Sequence, residues 1–519
     1  MNLLTRKEFL KGSLAAGGAA LFTRGCATPP SESTAASTVP VIAKTGSANS
    51  DIRIGIIGFN AQGFGHLQNY LPGNRGKLQG AVLVAICDVD DKVLAKGRDA
   101  AQKAGLKVAE YKDYRKMLES KEIDAVVCAP PNHQHSIITI AALQAGKDVY
   151  VEKPLSHNIW EGRQAVEAAR KYSKNVAVLG TQNRSSEQIM NAIAAIRAGK
   201  FGKIKWVTGT CYKPRDSIGL HEGPQPVPEG IDYDLWTGPA DLIPPHRNGP
   251  KGTVHYDWHW FWNYGGGDIN NQGIHQMDVA RWMLGGKGLP KDVISFGGRF
   301  GYRDDAETPN TLVSVMNYDE APLIFEVRGL GRKKGMRAMD LYRKSSIGVV
   351  AQCEHAYINV SESGSAIAYD NDGKRLEVFE GSDNGAHRRN WIKALQTRKV
   401  EHGVLEEGHY SASLGHLANI SYLAGAEKTN AQLAEAMASD LAARETYWRT
   451  LDHLKANEVD LEATKPVLGA LLRVDAKREM VTHPEQIVAD AANNLPIRKR
   501  TGRAPFVIPD FQSGAMART

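Results

Sequence analysis

The sequence predicts an α/β chain in which a doubly wound parallel sheet is followed by an α+β domain with an open, mainly antiparallel sheet. Three observations predict it. Short β-branched runs (Ile52 to Ile57, Ala81 to Cys87, Asp124 to Ala129, Asp148 to Val151, Ala177 to Gly180) alternate with helical patterns, as successive β-α units do. The turn after the first run, Gly58-Phe59-Asn60-Ala61-Gln62-Gly63, is glycine-rich and opens a helix. After about residue 200, longer runs follow one another with few helices between them, which favours antiparallel pairing.

Taken in order, the N-terminus reads as an address. Thr5-Arg6-Lys7-Glu8-Phe9-Leu10-Lys11 precedes a weakly apolar stretch from Gly12 to Phe22, too short to span a bilayer. The pattern is that of a twin-arginine export signal with Lys7 at the second arginine, and it implies a periplasmic protein. Cys26 is a candidate lipidation site with Thr23 at a position unlike a lipobox; a cytoplasmic tail is the alternative. Residues 27–50 read as a flexible linker rich in Ser, Thr, Ala and Pro. The predicted domains are 1–50 (signal and linker), 51–181 (parallel sheet), 182–430 (α+β) and 431–519 (helical extension and Pro-rich tail). In 51–181, helices are expected from about His135 to Gly146 and Trp160 to Tyr172. In 182–430, strands are expected at Ile204 to Tyr212, Val293 to Tyr302, Thr311 to Asn317 and Leu323 to Gly329. Later helices are expected at Arg388 to Gln396, Ser411 to Leu423 and Ala431 to Ala456.

Composition narrows the class. With 42% hydrophobic and 23% charged residues over 519 positions, the chain is an ordinary globular protein of two or three domains. A net charge of +7, from 64 basic and 57 acidic residues, is too mild and too dispersed for a nucleic-acid footprint. The five cysteines show no framework spacing, so no disulfide scaffold is expected.

Four clusters carry chemistry. Gly58 and Gly63 occupy the outer positions of a dinucleotide fingerprint, with Asn60 in place of the middle glycine and Gln62 beside the last. Asp88, ending the second strand, can accept from a ribose 2′-hydroxyl and repel a 2′-phosphate, which favours NAD over NADP; its alternative is a helix cap. Pro131-Asn132-His133-Gln134-His135 follows the third clear strand. A position beside the nicotinamide is preferred there to a metal site, since no third ligand has metal spacing, and Asn132 as a cap is the bland reading. Glu152-Lys153-Pro154 ends the next strand, where an ammonium is costly to leave idle. Finally, Gly265 to Asp278 opens a helix on which Asn271, His275 and Asp278 share a face. Trp258, Trp260 and Trp262 just before it would line one side of an extended segment, as a sugar platform or as core packing.

In this order, Gly58 to Gly63, Asp88, Pro131-Asn132-His133, Glu152-Lys153-Pro154 and Gly273-Ile274-His275 resemble the Gfo/Idh/MocA oxidoreductases over roughly residues 51–430. The resemblance implies a Rossmann domain and an α+β domain whose open sheet often joins subunits, hence a homo-oligomer, dimer or tetramer. It also implies NAD(P) and a sugar, polyol or glycoside substrate. By the same resemblance Lys153 contacts the reacting hydroxyl and His275 is the acid/base. The family commonly carries Asp four residues before this histidine, where this chain has Asn271; a neutral amide can orient an imidazole but not stabilise its charge. Proton handling is therefore expected to fall more on Lys153. Gln182, Arg184, Tyr212, Trp260 and Asp278 complete the expected substrate contacts. Two rivals to hydride transfer are a redox-neutral NAD-dependent glycosidase and a non-catalytic sugar-binding protein.

Overall fold

A computed structural model describes residues 51–512 except 75–77, 246, 248–250, 383–384 and 439; the predicted signal, linker and Cys26 lie outside the described residues. Apolar runs with few polar interruptions suit strands covered on both faces. Strands β1 (Ile52–Ile57), β2 (Ala81–Cys87), β3 (Ala109–Tyr111), β4 (Ala125–Cys128), β5 (Asp148–Val151) and β6 (Ala177–Leu179) form a wholly parallel sheet in the order β3-β2-β1-β4-β5-β6; all are such runs except the short, largely exposed edge strand β3, which the sequence did not signal. The order reverses between β1 and β4, which leaves a crevice beyond their carboxyl ends. Helices α1 (Gln62–Gln68), α2 (Asp91–Lys103), α3 (Tyr114–Leu118), α4 (His135–Gln144) and α5 (Ile159–Lys171) connect the strands. Asp90, not Asp88, caps α2 by accepting from Lys92 N, and Asn158 caps α5 through Glu161 N.

After α6 (Glu187–Arg197) the chain enters a larger sheet. Its strands are β7 (Ile204–Tyr212), β8 (Asp292–Gly298), β9 (Thr311–Asn317), β10 (Leu323–Arg328), β11 (Ile347–Cys353), β12 (Tyr357–Ser361), β13 (Ala366–Tyr369) and β14 (Arg375–Phe379), ordered β14-β13-β12-β11-β7-β10-β9-β8. All these neighbours are antiparallel except β7 with β10. Between β7 and β8 lie α7 (Tyr233–Thr237), α8 (Gly267–Asn271) and α9 (Gly273–Met283). Successive strand residues face opposite ways. Odd positions of β7 and β10 face α9, with the Phe325 ring filling the space beside Gly209 and Gly273.

The chain continues through α10 (Ala386–Thr397), α11 (Leu405–Ala424), β15 (Ala426–Glu427), α12 (Asn430–Ala436) and α13 (Leu441–Ala456). Even positions of β7 and β10 face α12 and α13, while α11 packs beside α9, its Ala418 carbonyl accepting from Ser295 Oγ. Ile324, Val313, Val315 and Phe296 pack against Leu433, Ala443, Tyr447 and Leu451 of α12 and α13. Trp391, Ile392 and Leu395 of α10 instead return to the first sheet and pack with Ile54, Ile56 and Leu83. The predicted cut at residue 181 therefore describes the chain's order but not its packing.

The tail is more structured than its composition suggests. Strands β16 (Val467–Leu468) and β17 (Leu472–Asp475) both pair with β8, and β17 pairs with β18 (Met480–Thr482). After α14 (Gln486–Asn493) the chain crosses back over the first domain. Trp160 N of α5 donates to Arg498 O, Phe511 N donates to Gln164 Oε1, and Phe506 and Ile508 join the core beneath α4 and α5.

Candidate active site

The glycine turn is built as the fingerprint requires. Gly58 has φ +74°, and a Cβ there would sit 2.5 Å from Pro130 of the neighbouring β4 loop. A Cβ on Gly63 would sit 2.1 Å from the Gly58 carbonyl oxygen. Both positions admit only glycine, and exposed Asn60 stands at the tip of the turn. Asp88 fastens the turn to β2: its carboxylate accepts from Phe59 N at 2.9 Å and from Asp90 N at 3.1 Å. Burial lifts its pKa to about 6 against the pull of those two amides. The residues present at the crevice thus fit a dinucleotide: a tight turn whose outer positions, Gly58 and Gly63, carry no side chain, with Asn60 at its tip, and an acceptor at the end of β2.

The residues after β4 play a structural part. His135 sits between the Pro154 and Pro130 carbonyl oxygens, 2.6 and 2.8 Å from its ring nitrogens, and so ties the β4 loop to the β5 loop. His133 Nε2 lies 2.8 Å from Trp236 O, and burial drops its pKa to about 3. The expectation of His135 beside the nicotinamide is therefore corrected: both its nitrogens are engaged with backbone. Asn132 does not cap α4, whose first turn has no side-chain cap; it begins a short 3₁₀ turn behind Pro131. Among the described residues, no three His, Cys, Asp or Glu side chains gather as a metal site.

Glu152-Lys153 forms the centre. The buried Glu152 carboxylate accepts from His66 Nε2 at 2.8 Å and from Lys153 N at 3.2 Å, with Gln62 and Gln182 each 3.5 Å away. Burial raises its pKa, but the His66 hydrogen bond and nearby positive charge pull it further, down to about 2. Gln62 and Gln182 thus converge on Glu152. Lys153 Nζ donates to the Asn271 carbonyl oxygen at 2.9 Å. Burial lowers the pKa of this ammonium, Glu152 opposes that, and Lys213 adds to it.

Helices α8 and α9 meet at Gln272, which keeps helical dihedrals, so Asn271 and His275 remain one turn apart. Asn271 contributes its backbone carbonyl to Lys153, rather than a side chain to His275. Burial and the Lys153 charge depress the His275 pKa to about 3, leaving a neutral imidazole beside the amine.

Three expected substrate contacts are spent elsewhere. Arg184 grips Asp278 with two hydrogen bonds of 2.8 Å, and Asp278 also accepts from Ser411 Oγ at 2.7 Å. Tyr212, at an even position of β7, lies on the face away from α9, where its hydroxyl donates to Glu326 at 2.6 Å. The tryptophans are not on an extended segment. A 3₁₀ turn at Asp257–Trp260 separates them: Trp258 stacks on His259 at 3.6 Å, and Trp260 faces the Arg215 guanidinium at 4.9 Å. What sequence reasoning missed lies at the end of β7. Lys213 Nζ donates to Gln272 Oε1 at 3.0 Å, and Arg215 Nε donates to Asp268 at 2.7 Å. Their position just past a strand in Lys213-Pro214-Arg215 was the available signal.

Residues 52–179 match a family model described as an oxidoreductase family, NAD-binding Rossmann fold, and residues 202–295 match the oxidoreductase family's C-terminal alpha/beta domain. Similar proteins include an inositol 2-dehydrogenase of Salmonella typhimurium, 25% identical over 36% of this chain and 52% of its own. An alpha-N-acetylgalactosaminidase of Shewanella oneidensis is 27% identical over 39% of this chain and 45% of its own. The chain spans about half the length of the curated relatives it matches. Among solved structures, a levoglucosan dehydrogenase complexed with NADH and levoglucosan shares the fold with a TM-score of 0.52, 17% identity, and coverage of 71% of this chain and 96% of that one.

Proposed function

Because the chain belongs to the Gfo/Idh/MocA oxidoreductase family through its two matched domains, we propose that it moves a hydride between a ring hydroxyl carbon of a sugar, polyol or glycoside and a tightly bound NAD. The observation that carries this reading is Lys153: a half-buried ammonium at the carboxyl end of β5, hung on the Asn271 carbonyl beside a neutral His275. The Gly58–Gly63 turn and Asp88 would hold NAD, which when bound would supply the carbon that takes up or returns hydride. In the oxidising direction the hydroxyl proton passes to the Lys153 amine, and in the reducing direction it returns. Burial and the Lys213 charge favour the neutral amine that this requires. His275 holds the same hydroxyl oxygen by a neutral hydrogen bond. The Asp88 carboxylate favours NAD over NADP by repelling a 2′-phosphate.

Export to the periplasm through the twin-arginine-like segment and assembly as a homo-oligomer, dimer or tetramer, belong to the same proposal; the first rests on the sequence of residues 5–22. Among the described residues, no helix is long and apolar enough to cross a membrane. The likeness to an alpha-N-acetylgalactosaminidase favours a second reading, hydrolysis of a glycoside with no net redox change.

Incubating purified protein with glycosides and no added cofactor separates the two. A keto-sugar with NADH absorbance supports the first reading, and released aglycone without NADH supports the second. Within the first, Lys153→Ala should cut turnover by about 10²- to 10⁴-fold and cost more than His275→Ala. A histidine variant deader than the lysine variant would overturn the proton assignment.

A further inference from the structure

The second domain holds a partly open cavity of about 290 Å³, close to the lower end of the roughly 300–1,000 Å³ typical of ligand pockets. It adjoins the reacting centre on two elements. Asp268 on its wall lies one helical turn before Asn271, whose carbonyl holds Lys153, and Arg215 lies two residues past Lys213. Asp268 is also close enough for its charge to act on the Lys153 ammonium.

The lining has two parts. One is aromatic: the Trp260 ring, and Tyr256, whose hydroxyl accepts from Arg215 Nη1 at 3.1 Å. The other is a set of ion pairs. Arg215 is bonded to Asp268, Arg247 Nε to Asp257 at 2.9 Å, and Arg299 to Asp304 at 2.6 and 2.7 Å. Arg337 is bonded to Asp216 in the same way, and Lys251 adds an ammonium to the lining. Each guanidinium is matched by its own carboxylate, so this wall offers donors and acceptors side by side and most of its positive charge is compensated. A phosphate or carboxylate entering here would meet Asp216, Asp257 and Asp268, each already holding a guanidinium. Hydroxyl groups, which donate and accept, suit both partners of every pair, and the C–H face of a pyranose suits an indole.

We propose that this cavity is a second-ring subsite, and that the natural substrate is a glycoside of at least two neutral sugar rings. One ring reacts at Lys153 and His275 while the next sits among Trp260, Tyr256, Arg215, Asp268 and Arg299. The inference rests on the proposed sugar oxidoreductase activity and deepens it by naming the substrate class.

Calorimetric titration of the full chain tests it with cellobiose, maltose and lactose against the methyl glycosides of glucose and galactose, and with a disaccharide ending in glucuronic acid. At least one neutral disaccharide should bind about tenfold or more tighter than the methyl glycosides, and Trp260→Leu should erase most of that advantage. Tyr256→Phe, which keeps the ring, should weaken the same disaccharide several-fold and serves if the tryptophan variant does not fold. Equal affinity for one and two rings, no binding by any disaccharide, or tighter binding of the uronic acid would each overturn the subsite. NADH formation assayed in parallel keeps the two proposals apart. Oxidation of single rings with no two-ring advantage sinks the subsite alone, whereas two-ring binding without any oxidation sinks the oxidoreductase reading alone.

Discussion

Replacing Arg184 with Met keeps most of the side-chain volume and removes the charge that holds Asp278. In the folded protein the Asp278 side chain is 1% exposed, and its partners are two Arg184 N–H groups at 2.8 Å and the Ser411 hydroxyl at 2.7 Å. Arg184 also lies over the Trp282 ring at 4.7 Å, a contact the Met stem partly preserves. The variant therefore strands a buried carboxylate on one neutral donor, and removing one partner of such a pair costs about 3–5 kcal/mol. Arg184→Met/Asp278→Leu removes both charges and should recover most of that loss. Urea unfolding followed by tryptophan fluorescence reads the midpoints of the two variants. Acid supplies a second check. Burial raises the Asp278 pKa but Arg184 pulls it lower overall, so without Arg184 the carboxyl should protonate more easily and the single variant should regain ground on wild type as pH falls. If Arg184→Met unfolds at the wild-type midpoint yet loses sugar affinity, the pair is not structural and Arg184 is a substrate ligand after all.

Gly63→Ala puts a methyl carbon 2.1 Å from the Gly58 carbonyl oxygen, so the turn must open; retained NAD, measured by mass spectrometry of the purified protein, should fall below detection while circular dichroism stays near wild type. The pH dependence of stability should carry the mark of His275, whose pKa drops from 6.5 to about 3 on folding. The neutral ring contributes stability that is fully present above 6.5 and is lost as pH falls toward 3, with a slope of up to about 1.4 kcal/mol per pH unit. His275→Gln should flatten that part of the acid limb in urea midpoints measured from pH 7 to 4, and an unchanged slope would refute the neutral assignment.

Most of the first sheet was legible because four of its parallel strands are short apolar runs whose ends coincide with a chemical marker: Gly58, Asp88, Pro130 and Lys153 all stand where a strand stops. Edge strand β3, three residues with a charge at its centre, gave no such signal. Lys153 was placed by its strand's end, whereas His275 stands inside α9 and was read from the polar, glycine-rich segment that opens that helix. Tyr212 was not, since one residue of strand register decides which face a side chain meets, and its hydroxyl partner Glu326 sits 114 positions away. The Arg184–Asp278 pair spans 94 positions and leaves no local trace. Trp258 and Trp260 alternate as a strand would, but so few residues cannot separate a period of two from a 3₁₀ turn. Strands β11 to β14 went unread although Asp372-Gly373 is a hairpin signal between the last two. Strands β16 to β18 have at most four residues each, and pairing with β8 or with one another, not intrinsic preference, makes them strands.

The returning tail sets an order on how the molecule can be completed. Helix α5 carries Trp160 and Gln164, both covered in the finished protein, and their backbone and side-chain partners are Arg498 and Phe511. A ribosome makes α5 more than three hundred residues before those partners, so the outer surface of the cofactor domain stays open while the whole second domain is synthesised. The domain begun first is thus not completed until the second has been made.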